Sequence, residues 1–120
     1  MPIVEVEMVA ERKHVAGLAA RIAHDLAPIF GGVASSTWVK LQTLDVHDYA
    51  EGDGGPSPEV RPTFVTVLRA DLPVGDELIE EIRQVTEAVA SVVERPAENV
   101  HVVYSPPGRG RVAFGGQLVD

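Results

Sequence analysis

Hydrophobic and polar positions alternate in two short stretches of the chain, and each stretch opens on a proline. Residues 2–9 read PIVEVEMV, and residues 62–69 read PTFVTVLR. Val, Ile, Phe and Thr dominate both stretches, and these residues suit a pleated strand. The alternation therefore predicts two β-strands.

A helical periodicity follows each of these strands. The apolar positions recur at spacings of three and four residues, which places them on one face of a helix. They are Val15, Leu18, Ile22, Leu26 and Ile29 in the first half, and Leu78, Ile82, Val85, Val89 and Val92 in the second. Acidic residues from Asp76 onward favour the start of the second helix, where the helix dipole is positive, and Arg95-Pro96 predicts its end.

Each half then returns to a strand and closes on two glycines. The strands are predicted at residues 38–41 and 100–103, and the closing pairs are Gly54-Gly55 and Gly115-Gly116. The opening prolines are 60 residues apart and the glycine pairs are 61 apart. An offset this constant predicts an internal repeat of a β-α-β unit.

The repeat predicts a single domain, residues 1–120, with units 2–49 and 62–118 joined by a linker, 50–61, rich in Gly, Pro, Asp and Glu. Two such units in pseudo-twofold relation predict a two-layer α+β fold, with one four-stranded sheet and both helices on one face. We expect the other sheet face to be apolar, with alternating Val, Ile and Leu, and to be covered by a closed oligomer.

Composition narrows the classes of function. The chain of 120 residues has no cysteine, which excludes disulfides, thiolate zinc sites and a cysteine nucleophile. The net charge of −8 argues against binding to nucleic acid or to an anionic membrane surface. No stretch approaches the roughly 20 apolar residues of a membrane span, and the N-terminal residues show no secretory signal. We therefore expect a cytoplasmic protein.

Pro2 is the first candidate for chemistry. Removal of Met1 would leave it as a free secondary amine, and an α-amino group titrates near about 7.7–8.0. Desolvation or a nearby cation lowers that pKa further, which supplies the neutral amine that a general base needs. Alternatively, the proline only starts a strand or permits removal of the methionine. Pro62 follows Arg61 and keeps its peptide bond, so the second unit holds no equivalent site.

The chain resembles the tautomerase superfamily, which includes 4-oxalocrotonate tautomerase, macrophage migration inhibitory factor, the chloroacrylic acid dehalogenases and malonate semialdehyde decarboxylase. The resemblance covers nearly the whole chain and rests on Met1-Pro2, the doubled β-α-β unit and the glycine closures. It implies a catalytic Pro2, a homotrimer of fused two-unit subunits and a small anionic carbonyl substrate. We expect no cofactor and no metal site.

The same resemblance suggests which cations complete the site. Arg69 matches a substrate-binding arginine of the dehalogenase-like members, and a guanidinium suits a carboxylate; otherwise it is a surface arginine. His101 matches a position that a neighbouring subunit contributes, with an interface histidine as the alternative. Lys40 is its counterpart in the first unit, and we expect it to face solvent or the inactive pseudo-site. Arg12 matches a family arginine, but we expect it to be structural.

Three further residues near the closing glycines are candidates for substrate binding. Arg109 and Arg111 lie in PPGRGR, a run that resembles a stretch of malonate semialdehyde decarboxylase. They would attract anionic substrates, or else form only a solvated turn. Phe114 is expected to line the pocket wall, where an apolar side chain helps to keep the amine neutral.

The departures from the family pattern favour one reaction. Ala113 stands where the dehalogenases carry a glutamate, and Ser36-Thr37 stands where the decarboxylase carries an aspartate. Proton transfer needs neither carboxylate. We therefore expect keto–enol tautomerisation of an unsaturated 2-oxo or 2-hydroxydienoic acid. A related decarboxylase or hydratase/dehalogenase of a small three-carbon acid, and a non-catalytic small-molecule-binding trimer, are the alternatives.

Overall fold

The computed structural model describes residues 1–11, 16–32, 34–55 and 60–120, and its elements follow the two-unit pattern. The first unit contains β1 (Ile3–Val9), α1 (Leu18–Leu26) and β2 (Trp38–Leu44). The second contains β3 (Thr63–Leu68), α2 (Asp76–Val93), β4 (Val100–Tyr104), β5 (Ala113–Phe114) and β6 (Gln117–Leu118). The predictions for Arg12 and Val15 lie outside the described residues.

The four long strands form one mixed sheet in the order β2-β1-β3-β4. Each unit contributes a parallel pair, β1 with β2 and β3 with β4. The two units meet in the middle through antiparallel β1 and β3, with Ile3 opposite Leu68. Both helices pack against each other, α1 over β2 and α2 over β4. This confirms the predicted two-layer fold with both helices on one face.

Alternation along the central strands decides which side chains fill the core. Val4 and Val6 of β1 and Val65 and Val67 of β3 point toward the helices and are fully or almost fully buried. The apolar stripes of the helices close over them, with Ile22 and Leu26 from α1 and Val85 and Val89 from α2. Burying side chains of this size stabilises the fold by about 1.5–3 kcal/mol each.

The face of the sheet that the helices leave open differs from the expected apolar surface. One row across it contains Lys40, Glu5, Thr66 and Val103, and the next contains Gln42, Glu7, Phe64 and His101. Lys40 and Glu5 form an ion pair with an N–O distance of 2.6 Å. The prediction of an apolar face was wrong because most of the Val residues in the strands are used on the helix side.

The closing glycines shape the chain after β4. Gly115 and Gly116 connect β5 to β6, and both have positive φ angles, 58° and 88°. A two-residue hairpin loop with positive φ at both central positions favours glycine. The hairpin holds Phe114, the residue before the loop, against Trp38 at the start of β2.

No helix in the described ranges is long and apolar enough to cross a membrane.

Candidate functional site

Pro2 lies at the start of β1, between the beginning of β2 and the end of β3. Its ring is buried, and its carbonyl accepts a hydrogen bond of 3.1 Å from the Trp38 amide. This bond links the two parallel strands of the first unit. Met1 precedes the proline, so the Pro2 nitrogen lies in a peptide bond and carries no proton. Loss of Met1 would create an amine at a fixed position on the sheet.

A small cavity of about 210 Å³ lies beside Met1. Its other lining residues are Ser35, Ser36, Trp38 and Phe114. The rings of Trp38 and Phe114 meet edge to face, with centroids 5.1 Å apart. The structure thus places Phe114 on the wall of the cavity beside the N-terminus. None of these lining side chains is charged, so none of them would stabilise a cation there.

Gly108 makes room for the N-terminal residue. A Cβ atom added at Gly108 would meet the Cε atom of Met1, which is flexible, and would lie 3.3 Å from the carbonyl oxygen of Arg69, which is not. The absence of a side chain at Gly108 therefore relieves crowding between the loop after β4 and the end of β3. The Gly108 amide also donates to the Arg69 carbonyl at 2.7 Å, which fixes the loop to the end of β3.

Arg69 uses its guanidinium for a buried ion pair. Its Nη1 atom lies 2.5 Å from Oε1 of Glu81, whose side chain is only 8% exposed. The Cζ atom of Arg69 lies 5.4 Å from the ring centroid of Phe30, a cation–π distance. Tyr104 donates its hydroxyl to the other Glu81 oxygen at 2.5 Å. Burial, and then this hydrogen bond to a carboxylate, raise the pKa of Tyr104.

The guanidinium of Arg69 lines a different cavity, of about 660 Å³, between the end of β3 and α2. Carboxylates dominate its charged lining: Asp71, Asp76, Glu77, Glu80 and Glu81. Such a surface repels an anionic ligand. Arg69 is not among the residues that line the cavity beside Met1, although its backbone is close to Met1 through Gly108.

The two arginines of the PPGRGR run differ from each other. Arg109 binds the Asp71 carboxylate through Nε and Nη2, at 2.8 and 2.5 Å, and the Asp120 carbonyl at 2.6 Å. The Arg109 hydrogen bonds hold the pKa of Asp71 below its usual value. Arg111 is exposed, and the described part of the chain offers its guanidinium no carboxylate. Neither lines the cavity beside Met1.

His101 lies on the open face of the sheet, exposed to solvent, with its ring 5.6 Å from that of Phe64. Phe64 is opposite Glu7, toward the far end of β1, whereas Pro2 precedes the first residue of that strand. Within one chain His101 is therefore not beside the cavity. A role for it at the site requires a neighbouring subunit. Lys40 lies on the same open face and is bound to Glu5.

The structure also reveals residues that the sequence alone did not single out. Trp38 lines the cavity beside Met1, and Glu81 forms an ion pair with the guanidinium of Arg69. Thr37 is 4% exposed, and its hydroxyl has no hydrogen-bond partner among the described residues. The available signal for Thr37 was its place directly before the strand predicted from residue 38, where the decarboxylase carries an aspartate.

No protein-family model matches the sequence, and no curated protein matches it. Solved structures do. The chain is similar to a wild-type fused 4-OT described as an asymmetric trimer, with 18% identity, a TM-score of 0.79 and coverage of 98% of this chain and 95% of that one. A native fused 4-OT shares 24% identity over the same fractions, with a TM-score of 0.73.

A macrophage migration inhibitory factor from Oncomelania hupensis shares 17% identity over 100% of this chain and 83% of its own, with a TM-score of 0.75. These similarities extend over the sheet, both helices and the closing hairpin. The chain therefore has the fold of the tautomerase superfamily, with two β-α-β units in one polypeptide.

Proposed function

We propose that this protein is a keto–enol tautomerase in which the nitrogen of Pro2, freed by removal of Met1, is the general base. The observation that carries the proposal is the placement of Pro2: a buried ring at the start of β1, with the preceding residue in a small uncharged cavity. An amine held there would be partly desolvated, which lowers its pKa and keeps a neutral fraction at neutral pH. The tautomerase-superfamily fold supports the same activity.

The proposed reaction moves one proton. The neutral amine of Pro2 takes the proton of the enol hydroxyl, which leaves an enolate and a prolinium ion. An oxygen electron pair then forms the carbonyl while the C=C electron pair takes the proton from the prolinium nitrogen at carbon, which restores the neutral amine. Trp38 and Phe114 supply an apolar wall for the unsaturated part of the substrate.

The carboxylate of an acidic substrate needs a cation, and Arg69 is the proposed one. A guanidinium has five donors, and the ion pair with Glu81 uses Nη1. The substrate would bind the donors that Glu81 leaves available, in competition with the neighbouring carboxylates. We further propose a homotrimer in which His101 reaches the site from a neighbouring subunit, with Arg109 and Arg111 at its entrance, in a cytoplasmic protein.

Intact mass and turnover test the proposal together. Purified protein should lack Met1 by mass spectrometry and should ketonise phenylenolpyruvate. Pro2→Ala keeps an α-amine, but a primary and less constrained one, so kcat should fall. Pro62→Ala is the matched control, because this proline occupies the same place in the second unit but follows Arg61. Retained Met1 without turnover, or equal effects of the two substitutions, contradicts the proposal.

Comparing an acidic substrate with a neutral enol, which has no carboxylate, tests whether Arg69 binds the substrate carboxylate. If the guanidinium binds a carboxylate that is present in the ground state and the transition state alike, Arg69→Ala should mainly raise KM for the acid, by about tenfold to a hundredfold. The neutral analogue should be affected much less. Equal losses on both substrates, measured at a temperature where the variant is folded, would mean that Arg69 does not bind the carboxylate.

One observation favours a second function, that of a non-catalytic trimer that binds small molecules. The Arg69 guanidinium, the proposed partner of the substrate carboxylate, is already paired with Glu81. If Met1 is retained in the mature protein, the cavity is a binding site without a base. Binding of an unsaturated acid to a protein of unprocessed mass, without turnover, would support this second function.

A further inference from the structure

Thr37 is buried beside Pro2 with an unused hydroxyl. Its side chain is 4% exposed, and Oγ1 has no hydrogen-bond partner among the described residues. Leaving a buried hydroxyl unpaired is unfavourable, because the group has given up its hydrogen bonds to water without replacing them. A polar side chain that is kept at such a position calls for an explanation.

The register of the sheet brings Thr37 opposite Pro2 at the start of the parallel ladder. Ile3 pairs with Trp38 in the parallel ladder, and the Trp38 amide bonds to the Pro2 carbonyl. Pro2 and Thr37 are the preceding residues of the same two strands. Neighbouring strands lie about 4.8 Å apart, and the nitrogen lies about 1.5 Å from its own Cα, so a threonine side chain reaches across.

The two side chains also share one face of the sheet. Val4 and Val39 are partners in the ladder and lie on the helix side, and Pro2 and Thr37 each precede one of them by two residues. Side chains two apart on a strand point the same way. Both Pro2 and Thr37 are buried there, which agrees with this placement.

We propose that Oγ1 of Thr37 accepts a hydrogen bond from the Pro2 nitrogen after Met1 is removed, and thereby positions the base. With Met1 attached, the nitrogen has no hydrogen to donate, and this explains why Oγ1 is unpaired in the unprocessed chain. A neutral secondary amine has one N–H and one lone pair. If Thr37 holds the N–H, the lone pair is directed away from Thr37, toward the cavity lined by Trp38 and Phe114.

The inference rests on the proposed function only in requiring a free Pro2 amine. Thr37 is a positioning residue in this account, because it acts through Pro2 and does not touch the substrate. The same hydrogen bond is stronger when the amine is charged, since charge-assisted bonds exceed neutral ones. Thr37 therefore raises the pKa of Pro2, against the lowering effect of the apolar cavity.

The charged side chains near this end of the sheet are bound to partners other than Thr37, so substitution of Thr37 removes none of their contacts. Arg69 follows β3 and is bound to Glu81 of α2, which also accepts from Tyr104 of β4. In the loop after β4, Arg109 is bound to Asp71. Lys40 and Glu5 pair on the opposite face of the sheet. A shift in the Pro2 pKa after substitution of Thr37 thus reports on the hydroxyl.

The experiment compares Thr37→Val, which has nearly the same shape without the hydroxyl, with Thr37→Ser, which keeps it. The Pro2 pKa is measured by NMR in protein with 15N-labelled proline, a readout that needs no turnover. We expect Thr37→Val to lower this pKa by about half to one pH unit and to reduce kcat about threefold to tenfold, with KM unchanged. Thr37→Ser should retain most of both values.

An N-terminally extended form of the protein, in which Pro2 stays acylated, gives the matched stability test. In this form Thr37→Val should not lower the melting temperature, because it removes an unpaired hydroxyl. In the processed form the same substitution should lower it. An unchanged Pro2 pKa in Thr37→Val, or equal effects of Val and Ser, would overturn the inference. Absence of turnover with the pKa shift present would count against the proposed function alone.

Discussion

Pro2 and Pro62 hold equivalent places in their units, yet their surroundings differ. The Pro62 carbonyl accepts a bond from the Val9 amide at 3.0 Å, much as the Pro2 carbonyl accepts one from Trp38. Near Pro62, however, Arg95 donates to the Arg61 carbonyl at 2.8 Å and to Thr63 Oγ1 at 3.3 Å. A permanent guanidinium thus sits in the second unit near the place where the first has an uncharged cavity.

The pH dependence of turnover follows from the uncharged cavity. Desolvation destabilises the ammonium form of Pro2, so kcat/KM should rise with pH through a pKa below about 7.7–8.0 and level off above it. Phe114→Ser should admit water and raise the pKa through which kcat/KM increases. Phe114→Leu should leave that pKa unchanged. A pH–rate profile measures all three proteins. A wild-type limb at or above about 8 would show that the amine is not desolvated.

Tyr104 gives a second pH effect, on stability rather than turnover. Its pKa is raised in the fold above the ordinary value of 10.0, by burial and by donation to Glu81. Above pH 10 the unfolded chain therefore loses this proton before the folded chain does, and the free energy of unfolding falls as pH rises. Below that range both states keep the proton, and the stabilising hydrogen bond is fully present.

Tyr104→Phe should consequently reduce stability by about 1 kcal/mol near neutral pH, with the difference from wild type shrinking above pH 10. Urea unfolding at a series of pH values measures this. Tyr49 is the matched control: it is half-buried and its pKa is also raised, chiefly by its hydrogen bond to Glu51, but that bond lies at an exposed position where solvent weakens it. Tyr49→Phe should therefore change the alkaline profile little. Parallel curves for wild type and Tyr104→Phe would contradict the argument.

At the scale of elements, local pattern predicted the strands and helices well. Alternation in PIVEVEMV and three-four spacing in the helices are properties of neighbouring residues, and both are visible in one sequence. The same alternation also places Glu5 and Glu7 together on the face opposite Val4 and Val6. The open face is therefore not apolar, because alternation places most of the strand valines on the helix side.

The periodicity of the sequence does not predict which side chains of different elements contact each other. Arg69 ends β3 and Glu81 lies within α2, and their ion pair depends on how the helix crosses the sheet. The burial of Thr37 likewise depends on the register of β1 against β2. Sequence reasoning therefore identified Pro2 and Phe114 near the N-terminal cavity, but did not find the partner of Arg69.

The ion pair between Arg69 and Glu81 predicts a large stability effect. Arg69→Ala would leave the carboxylate of Glu81, 8% exposed, without its cation, at a cost of about 3–5 kcal/mol. Substituting both residues, Arg69→Leu with Glu81→Leu, should recover much of this loss, because no buried charge is then left unpaired. Denaturant unfolding of the single and double variants measures the coupling.

An exposed ion pair in the same region serves as the control. Arg109 and Asp71 have side chains that are 49% and 65% exposed, so solvent screens their attraction. Arg109→Ala should therefore lower the free energy of unfolding far less than Arg69→Ala does. Equal costs for Arg69→Ala and Arg109→Ala would show that the buried pair does not stabilise the link between β3 and α2.

At the scale of the whole molecule, one sheet face remains uncovered by helices. It carries exposed apolar side chains, with Trp38 at 52% and Val103 at 59% exposure, among the charges of Glu5 and Lys40. A face of this mixed composition resembles an interface between proteins, which combines apolar contacts with polar and charged ones. It also carries His101, which is too far along the sheet to serve its own Pro2.

We therefore expect a homotrimer in dilute solution, assembled through the open face, and native mass spectrometry or light scattering at micromolar concentration should detect it. Val103→Glu places a second negative charge in the row that contains Glu5 and should shift the protein toward monomer. Ile79→Glu is the matched control, since Ile79 is 66% exposed on α2, in the layer on the other side of the sheet.

Turnover should fall with the trimer fraction in Val103→Glu, because each site is proposed to use His101 of a neighbour. A wild-type monomer that retains full activity would rule out both the assembly and the shared site.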